Sequence, residues 1–253
     1  MIYEQLLISP NPVLLRMQPA RCNLSDCFLC AHCLPEWREV IGLHKKTWKL
    51  KKGDFVIREG DPVRGIYFLY AGAVKVFTAW TGQKELILRF AKQGDIVGHR
   101  GLGGVDTYPV SARALEDSVV CFISSEFLES TLITNPSLTY RLMHFYATEL
   151  LKAERRMRAL AHQDVRGRIA QALLELAGQF GTDKSQYINL SIKRQDIASY
   201  AGTTYETVFK FFTWLIREKI ITTSGKKIRI NQPDRLAGLV DGSAPANPGA
   251  ATA

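Results

Sequence analysis

The stretch Arg194-Gln-Asp-Ile-Ala-Ser-Tyr-Ala-Gly-Thr-Thr-Tyr-Glu-Thr-Val-Phe-Lys-Phe-Phe-Thr-Trp214 decides how the second half of this chain folds. Counted from Arg194, the fifth, ninth and fifteenth residues are Ala198, Gly202 and Val208. A small residue lets one helix pack beneath the next, and a glycine suits the backbone reversal between them. This spacing predicts a helix-turn-helix.

The second helix of this motif is predicted to begin at Thr203, whose hydroxyl caps it, with Glu206 completing a capping box. In a recognition helix this end enters the major groove, where a carboxylate accepts from cytosine and a lysine donates to guanine. The alternative is that Glu206 only caps the helix and Lys210 only touches phosphate. The side chains expected to contact DNA are Thr204, Tyr205, Glu206, Phe209 and Lys210.

A two-stranded hairpin is predicted around Ser224-Gly225, with Lys219–Thr223 as its first strand and Lys227–Ile230 as its second. Lys226 and Lys227 lie at its tip, where a backbone phosphate would lie beside a bound helix. The chain has a net charge of +9, of which residues 151–235 hold +8, residues 1–150 hold +2 and the tail holds −1. Charge concentrated in this way favours double-stranded DNA as the partner.

The first half of the chain has a different pattern, because residues 47–125 alternate short apolar runs with glycine turns. No segment of helix length separates these runs, so they predict an all-β sandwich or roll. The predicted strands fall within residues 54–58, 65–70, 72–77, 85–90, 94–97 and 118–123.

From Pro136 the apolar spacing becomes helical, and a 4-3 repeat begins at Thr139. This seam is typical of a parallel two-stranded coiled coil, and a second face with Leu138, Leu142 and Phe145 is left to pack on the roll. The alternative is one amphipathic helix buried within its own chain. A further helix is predicted over residues 163–180 and a short strand over 187–190. The predicted dimer-interface residues are Met143, Tyr146, Leu150, Ala153, Met157 and Leu160.

Four of the five cysteines, Cys22, Cys27, Cys30 and Cys33, lie within twelve residues, and Cys121 lies far downstream. The sequence shows neither a secretory signal nor an apolar run long enough to span a membrane, so a cytoplasmic protein is expected. Thiols stay reduced in that compartment, which favours metal or cluster ligation over disulfides.

The order of roll, long helix and winged helix-turn-helix resembles the CRP/FNR superfamily of bacterial transcription regulators, over roughly residues 20–235. The resemblance implies an α+β fold with a cyclic-nucleotide-binding-like β-roll. The motifs that carry it are Lys52-Gly-Asp, Glu59-Gly-Asp61, Gly65-Ile-Tyr-Phe-Leu, Gly72-Ala-Val-Lys-Val, Gly94-Asp-Ile-Val-Gly98 and Thr203-Thr-Tyr-Glu-Thr-Val208. The expected parts are a Cys-rich segment (1–40), the roll (41–130), a dimerisation helix (131–162), the winged helix-turn-helix (163–235) and a disordered tail (236–253).

The effector site of this superfamily argues against cAMP. Members that bind it carry a Gly-Glu and an Arg-Ser/Thr-Ala, whose charged side chains hold the ribose and the phosphate. The corresponding residues here resemble Gly98-His99 and Val110-Ser111-Ala112, so both charged ligands are missing. A different anionic effector using His99, Arg100 or Ser111 stays open.

FNR-like members bind one [4Fe-4S] cluster per subunit through three N-terminal cysteines and one in the roll. The resemblance assigns Cys27, Cys30, Cys33 and Cys121 to this role, with Cys22 as an alternative ligand. The spacing departs from the FNR pattern, since only Ala31-His32 separates Cys30 from Cys33. Ferredoxins show that such short gaps are compatible with a cluster. A zinc site, a thiol redox switch and no cofactor are the alternatives.

These observations predict a homodimeric transcription regulator that reads a near-palindromic DNA site, contacts RNA polymerase and responds to redox state or oxygen. One alternative is a cluster-free regulator of the same superfamily that responds to a small molecule. Another is a Cys/His metalloenzyme. No general base, phosphate loop or nucleophile motif accompanies the cysteines, so an enzyme is not expected.

Overall fold

The computed structural model describes residues 16–17, 27–79 and 84–240. Cys22 and the segment 241–253 lie outside the described residues. The helices are α1 (Phe28–His32), α2 (Trp37–His44), α3 (Ser125–Thr134), α4 (Pro136–His162), α5 (Val165–Phe180), α6 (Arg194–Ala201), α7 (Tyr205–Arg217) and α8 (Pro233–Val240). The strands are β1 (Arg16–Met17), β2 (Lys46–Leu50), β3 (Phe55–Ile57), β4 (Gly65–Ala71), β5 (Ala73–Ala79), β6 (Glu85–Lys92), β7 (Ile96–Val97), β8 (Ser111–Ala114), β9 (Ser118–Ser124), β10 (Ile221–Ser224) and β11 (Lys227–Ile230).

The first half is a roll of two antiparallel sheets, ordered β1-β2-β9-β4-β7 and β3-β8-β5-β6. Its interior is filled by apolar and aromatic side chains from both sheets, among them Leu69, Val76 and Phe122. Because the strands are short and joined by tight turns, the chain closes into a roll without intervening helices. Each of the six segments expected to form a strand overlaps one, while β1, β2 and β8 were not singled out from the sequence.

Helix α4 is the long helix expected from the 4-3 repeat, and its first residue is Pro136. Proline suits the first position of a helix because the N–H it lacks would have no partner there. Leu138 and Leu142 are buried against the roll, while Met143, Leu150 and Met157 are exposed. No helix among the described residues has the length and apolar content needed to cross a membrane.

Two expectations for the C-terminal part are corrected. Residues 187–190 do not form a strand of their own, because only Ile188 makes an isolated bridge, to Thr182. The expected disordered tail began at residue 236, but α8 runs to Val240 and buries Leu236 and Leu239. These two leucines complete the core of the winged domain, so that domain ends five residues later than predicted.

The C-terminal helical domain is docked on the roll. One continuous apolar cluster joins Phe77 and Phe90 of the roll to Ile169, Ile197 and other residues of the helical domain. At the edge of this interface, Lys75 Nζ of β5 lies 2.9 Å from Asp196 Oδ1 of α6 and also contacts Glu85. Removing one partner of such a buried pair would leave an uncompensated charge at the domain boundary, so the docked arrangement depends on both.

Arg156 of α4 joins three parts of the molecule. Its guanidinium donates to the main-chain oxygens of Ile87 and Leu88 in β6 and of Tyr200 in α6. It also lies over the Tyr200 ring, 4.1 Å from the centroid. The long helix is therefore hydrogen-bonded to the roll and to the helix-turn-helix through one side chain.

Candidate nucleic-acid interface and cysteine site

The helix-turn-helix forms where the sequence places it. Helix α6 ends at Gly202, whose φ of 62° and ψ of 48° are left-handed. The left-handed conformation is the reason that the turn needs glycine, because the single atom that an added Cβ would meet, Leu160 Cδ2 at 2.6 Å, is the end of a flexible side chain. Val208, Phe211 and Leu215 then bury one face of α7 in the domain core.

The opposite face of α7 presents the side chains that were expected to contact DNA, and all five are exposed. Tyr205 and Phe209 are 41% and 48% exposed, although both are large and apolar. The guanidinium of Arg194 in α6 lies 5.7 Å from the centre of the Phe209 ring. Arginine, lysine, carboxylate and aromatic groups therefore share one surface at the start of α7.

The cap of α7 differs from the prediction. Thr204, not Thr203, is the capping residue, and its hydroxyl accepts from the amide of Thr207 at 3.2 Å. The predicted capping box needs its acidic residue at the third helical position, but Glu206 is the second, so that box does not form. The main-chain amide of Glu206 and the Thr204 hydroxyl hold the pKa of the fully exposed Glu206 below its ordinary value.

Strands β10 and β11 form the predicted wing, with Ser224 paired to Lys227 and a left-handed Gly225 between them. Both lysines at the tip are exposed. Lys227 Nζ lies 3.0 Å from Asp183 Oδ2, whereas no ion pair involves Lys226 within the described part of the chain. Lys226 is therefore the better candidate for a phosphate contact.

Of the three residues of the possible effector pocket, His99 and Arg100 lie together in the short helical turn that follows β7, whereas Ser111 lies on another element. Ser111 lies on β8, where its hydroxyl accepts from the amide of Glu59 at 3.0 Å. His99 is buried and faces α4, with its ring against Phe145 and Tyr146. Burial, with smaller effects of Arg89 and Arg100, lowers the pKa of His99 to about 3. The imidazole is consequently neutral at physiological pH.

Tyr146 was expected in the dimer seam, but it is half-buried and its hydroxyl donates to the main-chain oxygen of His99. It therefore anchors α4 to its own roll. The other five predicted interface residues are exposed in the single chain, as expected of side chains that a second copy would bury.

The cysteines at positions 27, 30, 33 and 121 gather at one place, which we call the cysteine core. This apolar cluster contains Cys27, Cys33 and Cys121 together with Leu29, Ile41, Ile66, Phe68, Ile96, Ile123, Leu128, Leu138 and Leu142, and Cys30 packs against it. Cys121 reaches it from β9, opposite Phe68 of β4. A residue from the roll thus lies in the same cluster as residues more than eighty positions earlier.

The cysteine core has the donor chemistry of an iron-sulfur or zinc site, since four soft thiols lie in or against one apolar cluster. Burial raises the pKa of the Cys33 thiol, although Arg38 opposes the shift. Among the described residues, no three His, Cys, Asp or Glu side chains are arranged to hold a metal ion. Ligation would therefore require the short helix α1 to move and the thiols to lose their protons.

The segment that carries the cysteines also touches α4. The rings of Phe28 and Phe145 lie 5.7 Å apart, edge to face. The amide of Leu34 donates to Asn135 Oδ1 at 2.8 Å, directly before α4 begins. A change at the cysteines thus has a direct path to the long helix.

Sequence reasoning missed the charged contacts that hold the domains together. Lys75, Asp196 and Arg156 were ordinary charged residues in the sequence, because their partners lie up to 121 positions away. The only local sign was Asp196 in the first turn of a helix, which the helix dipole alone would explain.

Comparisons with known proteins agree with this architecture. Residues 47–135 match the model of the cyclic nucleotide-binding domain, and residues 167–239 match the Crp-like helix-turn-helix domain. The chain is 34% identical to the transcriptional activator protein Anr of Pseudomonas protegens over 245 residues, covering 92% of this chain and 98% of that protein. It is 27% identical to the fumarate and nitrate reduction regulatory protein of Vibrio cholerae, covering 88% and 93%.

Among solved structures, FixK2 from Bradyrhizobium japonicum superposes with a TM-score of 0.69 at 26% identity. The superposition covers 77% of this chain and 96% of that protein.

Proposed function

This chain belongs to the FNR-like branch of the CRP/FNR family of transcription regulators, and we propose that it is a redox- or oxygen-responsive homodimer that reads a near-palindromic DNA site. The family is one of DNA-binding regulators and not of enzymes, so the metalloenzyme alternative is set aside. As a regulator of transcription it would act in the cytoplasm. Relatives named transcriptional activators support a contact with RNA polymerase.

The exposed N-terminal face of α7 carries the DNA-binding part of the proposal. Glu206, ionised at neutral pH, would accept from a cytosine amino group, and Lys210 would donate to guanine. Thr204 caps the helix while its neighbours would face the groove, and the exposed wing lysines would contact the DNA backbone. In a two-fold dimer the two recognition helices would lie about one turn of DNA apart, roughly 10 base pairs.

Two variants separate base reading from phosphate contact. Glu206→Ala should relax base preference at one position in each half-site, because the lost acceptor is specific to one base. Lys226→Ala should weaken binding to every sequence alike and reduce the salt dependence of binding. Equal loss on all sequences from Glu206→Ala would show that the carboxylate does not read a base.

The cysteine core carries the sensory part of the proposal. Cys27, Cys30, Cys33 and Cys121 would hold one [4Fe-4S] cluster per subunit, which supplies an oxygen-sensitive redox centre. Cys22 is the alternative ligand. The movement of α1 that ligation requires would pull on Phe145 through Phe28 and on Asn135 through the Leu34 amide. Those contacts join the sensor to the dimerisation helix.

Anaerobic purification followed by iron, sulfide and absorbance analysis tests this part. Single Cys→Ser variants at the five positions should show which four thiols are ligands. The four variants that remove a ligand should lose iron and colour, and the fifth should keep both. A colourless protein without iron, even after reconstitution, would favour the cluster-free alternative. Iron-free protein that binds zinc instead would identify the zinc site.

We propose no cAMP site in the roll. Val110 is buried in the apolar interior where a phosphate would need a positive charge, and the Ser111 hydroxyl already accepts from Glu59. Calorimetric titration with cAMP should show no binding, and saturable binding would overturn this point.

A further inference from the structure

The start of α7 exposes two aromatic side chains one helical turn apart. Tyr205 and Phe209 lie with ring centres 6.3 Å apart and planes 28° from parallel. Among the other large apolar residues of α7, Phe211, Phe212 and Leu215 are buried, whereas Ile216, near the other end of the helix, is 39% exposed. An aromatic pair left on the face opposite the core needs an external partner to remove it from water.

This pair is held in place before any partner arrives. Arg194 of α6 lies over the Phe209 ring, and its guanidinium is 5.4 Å from the centre of the buried Phe212 ring. Aromatic side chains have only two rotatable bonds, so little conformational entropy is lost when they are covered. The contact surface is therefore apolar and preorganised.

The neighbours of Phe209 identify the partner. Glu206 is three residues before it and Lys210 follows it, so Phe209 lies between two side chains suited to base edges. The apolar group that B-DNA presents in the major groove is the C5 methyl of thymine. We infer that Phe209, stacked on Tyr205, contacts a thymine methyl group in each half-site, adjacent to the base pairs contacted by Glu206 and Lys210. This inference rests on the proposed role of α7 as the recognition helix.

The proposal is tested with a duplex that the full-length protein, purified anaerobically, selects from a random pool. Each thymine of the two half-sites is replaced in turn by deoxyuridine, which lacks only the methyl group. Affinity is measured by fluorescence anisotropy at one salt concentration. At one symmetric pair of positions, wild-type affinity should fall about fourfold per half-site, the value of burying one methyl group.

Phe209→Ala should bind the thymine and deoxyuridine duplexes equally, because the group that senses the methyl is gone. Phe209 is exposed, so the variant keeps its core, which circular dichroism and thermal unfolding check. Lys226→Ala is the matched control and should weaken both duplexes while preserving their ratio.

A change below twofold at every thymine would overturn the inference, as would a preference for thymine that persists in Phe209→Ala. Failure of selection to enrich any common sequence would instead show that specific DNA binding itself fails, and the inference would fall with it.

Discussion

Replacing Lys75 with methionine should strongly destabilise the protein, because it leaves a buried carboxylate without its cation at the domain interface. Methionine keeps the length of the side chain but removes the cation between Glu85 and Asp196. The side chains of Lys75 and Asp196 are only 8% and 10% exposed. Asp196 would then be a buried carboxylate without its cation, and breaking such a pair costs about 3–5 kcal/mol.

The reciprocal change should cost less. In Asp196→Asn, Lys75 keeps its contact with Glu85, so the loss is that of one charge-assisted hydrogen bond, about 1.5–3 kcal/mol. In the double variant no unpaired carboxylate is left at Asp196. The double variant should therefore be more stable than the sum of the two single changes predicts.

Urea unfolding followed by tryptophan fluorescence measures these free energies, at one protomer concentration because dimerisation would shift the midpoint. The surface pair Lys51–Asp117 is the matched control, since its 2.8 Å distance is similar but its side chains are 83% and 64% exposed. Lys51→Met should leave the midpoint almost unchanged. If Lys75→Met and Asp196→Asn each cost less than about 1 kcal/mol and add without coupling, the buried pair does not hold the domains together.

Three further predictions concern α4, His99 and the turn. Leu150→Glu should convert the dimer to monomer in sedimentation velocity, because Leu150 is exposed on the predicted dimer face of α4. Leu43→Glu is the control, since Leu43 is an 85% exposed leucine of α2 outside that face, and it should leave the dimer intact. The pKa of His99 is about 3 in the folded chain and near 6.5 in the unfolded chain. Below pH 6.5 the unfolded chain therefore binds a proton that the folded chain does not, so the free energy of unfolding should fall as the pH drops towards 3, by up to about 1.4 kcal/mol per pH unit. His99→Gln should remove that part of the acid sensitivity, and urea midpoints for both proteins that stay parallel from pH 7 to 4.5 would contradict it. Gly202→Ala should lower the free energy of unfolding by about 1–2 kcal/mol from left-handed strain, because the end of the Leu160 side chain can move away from an added Cβ. Gly225→Ala, with a similar φ and open space, should cost about the same, and a clearly larger loss at Gly202 in urea unfolding would contradict this.

The helix-turn-helix could be read from the sequence because its determinants are local. The small residue at 198, the glycine at 202 and the valine at 208 act within two adjacent helices, and the exposed face of α7 follows from helical periodicity. The strands of the roll were predictable for the same reason, since alternation and glycine turns act over a few residues. The single-residue error at the Thr204 cap shows the limit of local signals, because two adjacent threonines offer the same hydroxyl.

The contacts between distant segments depended on tertiary structure alone. The resemblance to a known family, not any local pattern, paired Cys121 with the N-terminal cysteines, and the fold brings all four into the cysteine core. The Lys75–Asp196 pair, the Arg156 contacts and the turn of Tyr146 towards His99 had no sequence signal. A buried charge or hydroxyl is stabilised by whichever partner the packed chain places beside it, and sequence periodicity does not encode that partner. The sequence by itself determined most of the elements and the exposed face of α7, while the tertiary structure decided how the roll, the long helix and the C-terminal domain are joined.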